Sequence, residues 1–134
     1  MTAPMSLPAV VHVEGLVHEY GTRRALGGID LSVGPKEIFG LLGPNGGGKT
    51  TLFRILATLI RPTGGRAAIL GRDVVGQARA VRAAIGVVFQ SPALDRKLTV
   101  RENLLAQGRL YGLSGRSLGE RIEEMLRRVG LHDH

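Results

Sequence analysis

The first half of the chain consists of short apolar runs separated by glycine-rich and proline-rich breaks, a pattern that predicts β-strands. Residues 29–33 (IDLSV) alternate apolar and polar positions with the period of a strand that has one buried face. Residues 38–42 (IFGLL) form a compact apolar run, which predicts a strand buried on both faces. The predicted strands cover residues 10–20, 29–33, 38–42, 66–70 and 85–90.

Behind residue 50 the apolar residues recur at helical spacing, so the period of the pattern changes from two to about 3.6. They predict a helix that reaches Ile60, and the RPTGG sequence at residues 61–65 ends it. A second, short helix is predicted over residues 77–84. A strand, a glycine-rich loop and a helix therefore follow one another between residues 38 and 60.

The last third of the chain is predicted to be helical and contains its own helix-start signals. Thr99-x-x-Glu102 and Ser117-x-x-Glu120 both fit the capping box, in which a hydroxyl and a carboxylate satisfy N–H groups at the start of a helix. The helix behind Ser117 carries an apolar stripe, which we interpret as core or interface rather than as a cofactor-binding surface. The stripe consists of Leu118, Ile122, Met125, Leu126 and Val129.

Composition bounds the class of protein. With 134 residues, 43% of them hydrophobic, the chain is expected to form one domain at most. No apolar run approaches the ~20 residues of a membrane span, and the N-terminus lacks the pattern of a signal peptide. The absence of cysteine excludes disulfides and thiolate metal sites. The net charge of +7 comes from scattered arginines and aromatics are only 4%, so no nucleic acid partner is expected.

The residues that join the predicted strand at 38–42 to the following helix match the phosphate-binding pattern G-x-x-x-x-G-K-[ST]. They are Gly43, Pro44, Asn45, Gly46, Gly47, Gly48, Lys49 and Thr50. Glycines permit the positive φ angles that turn successive N–H groups toward an anion, and the helix adds the positive end of its dipole. Lys49 would then reach the β- and γ-phosphates, and the Thr50 hydroxyl would coordinate Mg²⁺. An ordinary glycine-rich turn with an exposed lysine is the alternative, but the flanking strand and helix favour phosphate binding.

The residues around this loop resemble the nucleotide-binding domain of ATP-binding cassette (ABC) transporters. The matching sequences occur in the family's order, as EYGTRRALGGIDLSVGPKEIFGLLGPNGGGKTTL, RPTGG, IGVVFQ and LTVRENL, so the resemblance covers almost the whole chain. It implies an α/β fold, the RecA-like P-loop NTPase core of an ABC ATPase with an N-terminal antiparallel β part. Residues 1–96 correspond to the ATP-binding core, and residues 97–134 to the beginning of the helical subdomain. LTVRENLLAQGRLYGL further resembles bacterial exporters of the drug-resistance and sodium-efflux type.

The resemblance assigns roles to three residues outside the loop pattern. Tyr20 occupies the position of the aromatic that stacks on adenine, although a tyrosine at a strand end can also be structural. Thr51 matches a second hydroxyl near the α-phosphate, and Gln90 matches the glutamine that helps to bind Mg²⁺ and the attacking water and that senses the transmembrane partner. Gly47 departs from the alanine or serine that the family usually has, which should cost about 0.5–1 kcal/mol of rigidity. Lys36 departs from a usual glycine.

Other parts of the family's site have no counterpart in the sequence. ATP hydrolysis uses a strand that ends in Asp-Glu, and none of the eleven acidic residues follows such a strand, so no catalytic residue is identified. The histidine that contacts the γ-phosphate is absent too, and LSGRS at residues 113–117 comes too soon after Gln90 to be the family's LSGGQ signature. The resemblance therefore implies the N-terminal portion of such a domain. Because later strands of the sheet would be missing, we expect the isolated chain to fold marginally and to bind nucleotide weakly.

The function that the resemblance implies is binding of ATP and Mg²⁺ as the nucleotide-binding subunit of an ABC transporter. Binding and hydrolysis would be coupled to export through transmembrane permease subunits, with a second nucleotide-binding domain as dimer partner. The expected location is cytoplasmic, peripheral on the inner face of the plasma membrane. Two alternatives stay open, a soluble ABC-type ATPase that acts on the ribosome or DNA and a catalytically inert nucleotide-binding module.

Overall fold

A computed structural model of the chain describes residues 9–89 and 94–133. The chain divides into two compact units, of which the first ends at Val87 and the second begins at Val88. The first unit contains a β-sheet with two helices, and the second contains a pair of helices. The domain division that the sequence predicts after residue 96 stays a prediction.

The sheet of the first unit is antiparallel and has four strands. They are β1 (Val11–Tyr20), β2 (Arg23–Val33), β3 (Gly64–Ile69) and β4 (Arg72–Asp73), in the spatial order β2-β1-β3-β4. The first two form a hairpin around Gly21, whose φ of +59° is in the left-handed region that glycine adopts readily. This sheet confirms the antiparallel β part of the predicted fold, and it includes the strands predicted at residues 10–20, 29–33 and 66–70.

Two helices pack on the sheet, α1 (Lys49–Leu56) and α2 (Ala78–Ala84). They confirm the two predicted helices, but α1 ends at Leu56 rather than at Ile60. Thr58 adopts a φ of +60°, and its N–H donates to the Ile55 carbonyl at 2.9 Å, so the chain leaves the helix there. The buried apolar core consists of Val13, Leu16, Leu26, Leu52, Ile55, Ala67, Ile69, Val74 and Val81.

The strands predicted at residues 38–42 and 85–90 are wrong for the part that the structure describes. Neither residues 38–42 nor residues 85–89 belong to a strand, and Gln90 lies outside the described residues. Ile38, Leu42 and Val88 are almost fully exposed instead of buried. A strand buried on both faces requires neighbouring strands at its edges and layers above and below. The described residues supply no such neighbours to either segment, so apolar character alone did not produce a strand.

The second unit is a helical hairpin of α3 (Val100–Leu110) and α4 (Gly115–Arg128). Its buried cluster consists of Leu118, Ile122 and Leu126, with Leu104, Leu105, Leu113 and Leu131 packed around it. Arg101 Nη1 donates to Glu123 Oε1 at 2.5 Å and links the two helices. The predicted apolar stripe of α4 is therefore correct as far as Leu126, whereas Val129 follows the end of the helix and is exposed.

The capping box predicted at Thr99 is confirmed. The Glu102 N–H donates to Thr99 Oγ1 at 3.2 Å, and the Thr99 N–H donates to Glu102 Oε2 at 2.7 Å. The capping box predicted at Ser117 is wrong, because α4 begins two residues earlier and its N-cap is Ser114. The Ser117 hydroxyl donates to the Ser114 carbonyl at 2.8 Å, so its hydrogen is directed backward along the chain. Glu120 Oε1 instead accepts from Arg116 Nε at 2.8 Å.

We predict that acid destabilises this helical hairpin through its paired carboxylates. The backbone hydrogen bond from Thr99 lowers the pKa of Glu102, and the hydrogen bond from Arg101 lowers the pKa of Glu123. A carboxyl whose pKa is lower in the folded state stabilises that state above the unfolded pKa, about 4, and loses this effect as pH falls through the folded pKa. In urea unfolding followed by circular dichroism, the urea concentration at the midpoint should therefore decrease once the pH is lowered below about 4.

The variant Glu102→Gln should be less stable than the wild type at neutral pH and should depend less steeply on acid, since it has one titrating group fewer. Glu37→Gln removes a carboxylate from the other unit, where Glu37 Oε2 accepts from the Gly34 N–H, and so controls for the general effect of losing a charge. An unchanged acid dependence in Glu102→Gln would contradict the contribution of this capping carboxylate.

Candidate functional site

The glycine-rich loop between β2 and α1 is formed around two residues in the left-handed region. Gly46 and Gly48 each have a φ of +82°. The Gly47 N–H donates to the Pro44 carbonyl at 3.2 Å and closes a turn inside the loop. A β-carbon built on Gly48 would overlap the Ala25 carbonyl oxygen and lie 2.7 Å from Leu26 Cδ2. Glycine is therefore required at residue 48 both by its φ and by the close approach of the loop to β2.

The loop leads directly into the N-terminus of α1. Gly48 is the N-cap, and the Leu52 N–H donates to its carbonyl at 2.9 Å. The first N–H groups of any α-helix lack carbonyl partners within the helix. In α1 no side-chain hydrogen bond caps them, and the first turn has no acidic residue. The helix thus presents donors and the positive end of its dipole toward the loop, as an anion site requires.

The Lys49 side chain folds back over the loop. Its Nζ donates to the Gly43 and Pro44 carbonyl oxygens, both at 2.6 Å. The ammonium is therefore held within the loop by backbone atoms of the same phosphate-binding pattern. A group held there can exchange these carbonyl partners for phosphate oxygens when an anion enters the loop.

The two threonines at the start of α1 differ in exposure. Thr50 is exposed, so its hydroxyl is accessible to a bound ion, whereas Thr51 is only 8% exposed. Asn45 is exposed at the tip of the loop. The structure thus brings together all the predicted loop residues and Thr51 as one continuous segment. Gln90, predicted as a second Mg²⁺ ligand, lies outside the described residues.

Tyr20 closes β1 beside the hairpin turn, and its side chain is 45% exposed. Its ring packs edge to face with the imidazole of His18, with the ring centroids 4.5 Å apart and an interplanar angle of 78°. His18 is 7% exposed, and neither of its ring nitrogens forms a hydrogen bond in the part of the chain that the structure describes. No role was predicted for His18 from the sequence. Its place two residues before Tyr20, on the same face of a strand, was the available signal.

Arg23 is a second residue near the loop for which no role was predicted from the sequence. A β-carbon built on Gly46 would lie 3.4 Å from Arg23 Nη2, so this guanidinium lies against the loop. The signal in the sequence was the short Tyr20-Gly21-Thr22-Arg23 turn, which pairs Arg23 with Tyr20 across the hairpin.

Two cavities lie on the first unit, and only the smaller one is at the loop. One cavity of about 170 Å³ lies beneath the loop and is lined by Gly43, Gly48 and Lys49 together with apolar residues such as Leu26 and Leu41. A larger one, of about 450 Å³, lies along α2 and is lined by Gly76, Gln77, Arg79, Ala80 and Ala83. The site is assigned to the loop, because the lining of the larger cavity has only one charged side chain. The helix beside that cavity, α2, has only seven residues, too few to present a strong dipole to a ligand.

No three histidine or acidic side chains among residues 9–89 and 94–133 are close enough together to hold a metal ion. No helix in the same ranges has the length and apolar character that a membrane crossing requires.

Comparison with curated proteins gives relatives that are ATP-binding proteins. The chain is 50% identical over 123 residues to the daunorubicin resistance ATP-binding protein DrrA2 of Streptomyces coeruleorubidus, a match that covers 92% of this chain. It is 40% identical over 116 residues to the Nod factor export ATP-binding protein I of Rhizobium sp. (strain N33), which covers 87% of this chain. The chain spans 38% of the length of each of these two relatives.

Solved structures and a family profile agree with these relatives. The structure of cbiO1 from Clostridium perfringens, part of the ABC transporter complex cbiONQ, matches 94% of this chain with a TM-score of 0.75 and 26% identity. The chain covers 52% of that structure. The profile of the ABC transporter family matches residues 26–134, which include the loop, α1 and all later elements. The chain therefore belongs to the ABC transporter family.

Proposed function

We propose that the chain binds ATP with Mg²⁺ at the loop of residues 43–51, as the nucleotide-binding part of an ABC exporter. The observation that carries this proposal is the loop itself, which already has two left-handed glycines and a lysine ammonium beside the uncapped N-terminus of α1. Its backbone N–H groups and helix dipole suit a chain of phosphates. Lys49 then supplies a positive charge for the β- and γ-phosphates.

The residues present fit magnesium better than a metal that needs an all-protein cage. Mg²⁺ keeps several waters and takes the rest of its ligands from phosphate oxygens and one or two protein groups. Thr50 has an exposed hydroxyl at the first turn of α1, where it can serve as one such group. Gln90 is the second proposed ligand. The ion, when bound, neutralises phosphate charge, while the chain's own residues hold and orient the nucleotide.

The proposed role in transport rests on the relatives rather than on the geometry. Their names refer to daunorubicin resistance and to Nod factor export, which favours an exporter over an ATPase of the ribosome or DNA. In such a transporter the nucleotide-binding part lies at the cytoplasmic face of the membrane and contacts transmembrane permease subunits. A second nucleotide-binding domain completes the dimer, and ATP binding and hydrolysis there drive export.

Tyr20 supplies the test that distinguishes nucleotide binding from simple anion binding. Aromatic stacking on a base contributes about 1–3 kcal/mol, so Tyr20→Ala should weaken ATP binding by roughly tenfold. Tyr20→Phe keeps the ring and should bind like the wild type. Inorganic tripolyphosphate has the phosphate chain without the base, and its affinity should be the same in all three proteins. Isothermal titration calorimetry with Mg²⁺ present measures both ligands.

Equal losses for ATP and tripolyphosphate in Tyr20→Ala would contradict the stacking role and indicate a disturbed loop. The proposed function itself fails if the wild-type chain binds neither ligand in the presence of Mg²⁺.

A further inference from the structure

Arg23 and Arg24 follow one another in β2, but their side chains have different surroundings. Arg24 Nε donates to Glu19 Oε1 at 2.8 Å, and these two residues oppose each other across the β1–β2 ladder. Arg23 opposes Tyr20 in the same ladder. Opposed residues project from the same face of a sheet, and consecutive residues of one strand project from opposite faces. Tyr20 and Arg23 therefore share one face, whereas Glu19 and Arg24 share the other.

On its face of the hairpin, Arg23 lies against the phosphate-binding loop. Its Nη2 is 3.4 Å from the position of a β-carbon built on Gly46, so the guanidinium lies beside this glycine of the loop. Across residues 9–89 and 94–133 no carboxylate forms an ion pair with Arg23. The charge of Arg23 is thus placed at the loop without a described counterion.

The electrostatics of the loop favour an anion as the missing partner. The loop has the ammonium of Lys49, the guanidinium of Arg23 and the positive end of the α1 dipole. The first turn of α1 contributes no acidic side chain to balance them. A guanidinium has a planar fork of N–H donors that matches phosphate oxygens with two parallel hydrogen bonds.

We infer that Arg23 is a further phosphate-contacting residue of this nucleotide site, an inference that rests on the proposed function. The hairpin then supplies two adjacent groups on one face, the Tyr20 ring for the base and the Arg23 guanidinium for the phosphate chain. Lys49 approaches the phosphates from the helix side of the loop, and Arg23 approaches them from the sheet side. No acidic residue needs to move for Arg23 to make this contact.

The neighbouring arginines allow a closely matched experiment. Arg23→Gln and Arg24→Gln remove the same charge from adjacent exposed positions of one strand, so they share any general effect of charge. Calorimetry on the full chain with Mg²⁺ would measure the affinity of each variant for ATP and for inorganic tripolyphosphate. We expect Arg23→Gln to weaken both ligands by about tenfold, and Arg24→Gln to remain within about twofold of the wild type. Arg23→Lys should give an intermediate affinity, because it keeps the charge but not the fork.

Each result of this experiment either supports or overturns the role of Arg23. Equal affinities in Arg23→Gln and Arg24→Gln would overturn the inference, as would a loss for ATP without a loss for tripolyphosphate, which would move the contact to the base or ribose. Circular dichroism of both variants controls for folding, and Arg23→Lys keeps the test valid if Arg23→Gln unfolds. If the wild-type chain and Arg23→Gln bind ATP equally well, the proposed function is unaffected and only the phosphate-contacting role of Arg23 is rejected. A wild-type chain that binds neither ligand refutes both.

Discussion

Lys49→Ala is expected to abolish measurable binding of ATP to this chain. The substitution removes the only ammonium of residues 43–51, which donates to the Gly43 and Pro44 carbonyls in the structure. Hydrogen bonds to charged groups contribute about 1.5–3 kcal/mol each, so the loss of a lysine that makes two of them with phosphate corresponds to a decrease in affinity on the order of a hundredfold or more. Isothermal titration calorimetry with Mg²⁺ is the direct measurement.

Lys97→Ala is the control for this prediction, because it removes an exposed lysine from the other unit and leaves the loop unchanged. Its affinity for ATP should equal that of the wild type. Circular dichroism should show that both variants keep the wild-type helix content. If Lys49→Ala retains the affinity of Lys97→Ala, the nucleotide does not bind at this loop.

Gly48→Ala should disturb both the stability of the first unit and its binding of phosphate. At a φ of +82° an alanine is strained, and its β-carbon would overlap the Ala25 carbonyl oxygen. A non-glycine residue in the left-handed region costs about 1–3 kcal/mol before any overlap is counted. The loop must therefore move away from β2, which displaces the N-terminus of α1. Urea unfolding and nucleotide titration should both show the effect, with an affinity at least tenfold lower than that of the wild type.

Gly47→Ala is the matched control in the same loop. Residue 47 is not in the left-handed region, and a β-carbon there would have the Pro44 carbonyl oxygen as its nearest neighbour, at 3.1 Å. A shift of a few tenths of an ångström relieves this contact, and alanine reduces the conformational freedom of the unfolded chain, so the net change in stability should be within about 1 kcal/mol. Equal behaviour of the two variants would show that the left-handed conformation of residue 48 is not needed.

Local patterns predicted those parts of the fold whose stabilising partners are close in the sequence. The helix behind the loop and the capping box of Thr99 and Glu102 both form from neighbouring residues. The hairpin of β1 and β2 was not predicted; only the strand segments at residues 10–20 and 29–33 were. Residues 38–42 did not form the predicted strand, because a buried strand is stabilised by neighbours far away in the chain, and their apolar pattern carries no information about whether those neighbours are present. The pattern and the environment must agree before a strand forms.

The capping patterns at Thr99 and Ser117 show a limit of predicting helix starts from sequence. Thr99 and Ser117 both precede a glutamate by three residues, but Ser117 also follows Ser114, a residue type equally suited to the N-cap. In α4, however, the helix begins at Gly115, which places Ser117 inside the first turn and leaves its hydroxyl bound to the Ser114 carbonyl. Where two residues suited to the N-cap stand close together, the capping pattern alone does not show which of them begins the helix.

The candidate site also contains one part that is recognisable from a contiguous sequence and another part that depends on strand pairing. The phosphate-binding loop is one contiguous segment, so its pattern could be recognised from the sequence with every residue in place. Arg23 and His18 lie near that site only because of the register of the hairpin, in which Tyr20 opposes Arg23 and His18 packs on Tyr20. Two adjacent arginines look equivalent in the sequence, and only the pairing of the strands shows that Arg23, not Arg24, shares the face of Tyr20.

The hydrogen bonds that Lys49 makes within the loop have a consequence for the thermodynamics of binding. An incoming phosphate does not meet a free ammonium, since Nζ already donates to the Gly43 and Pro44 carbonyls. Binding at this side chain is therefore an exchange of acceptors, and its enthalpy is the difference between carbonyl and phosphate partners rather than the full strength of the new contacts. ATP binding should therefore release less heat than the number of phosphate contacts suggests. The favourable enthalpy that remains comes from the greater negative charge of phosphate oxygens compared with carbonyl oxygens.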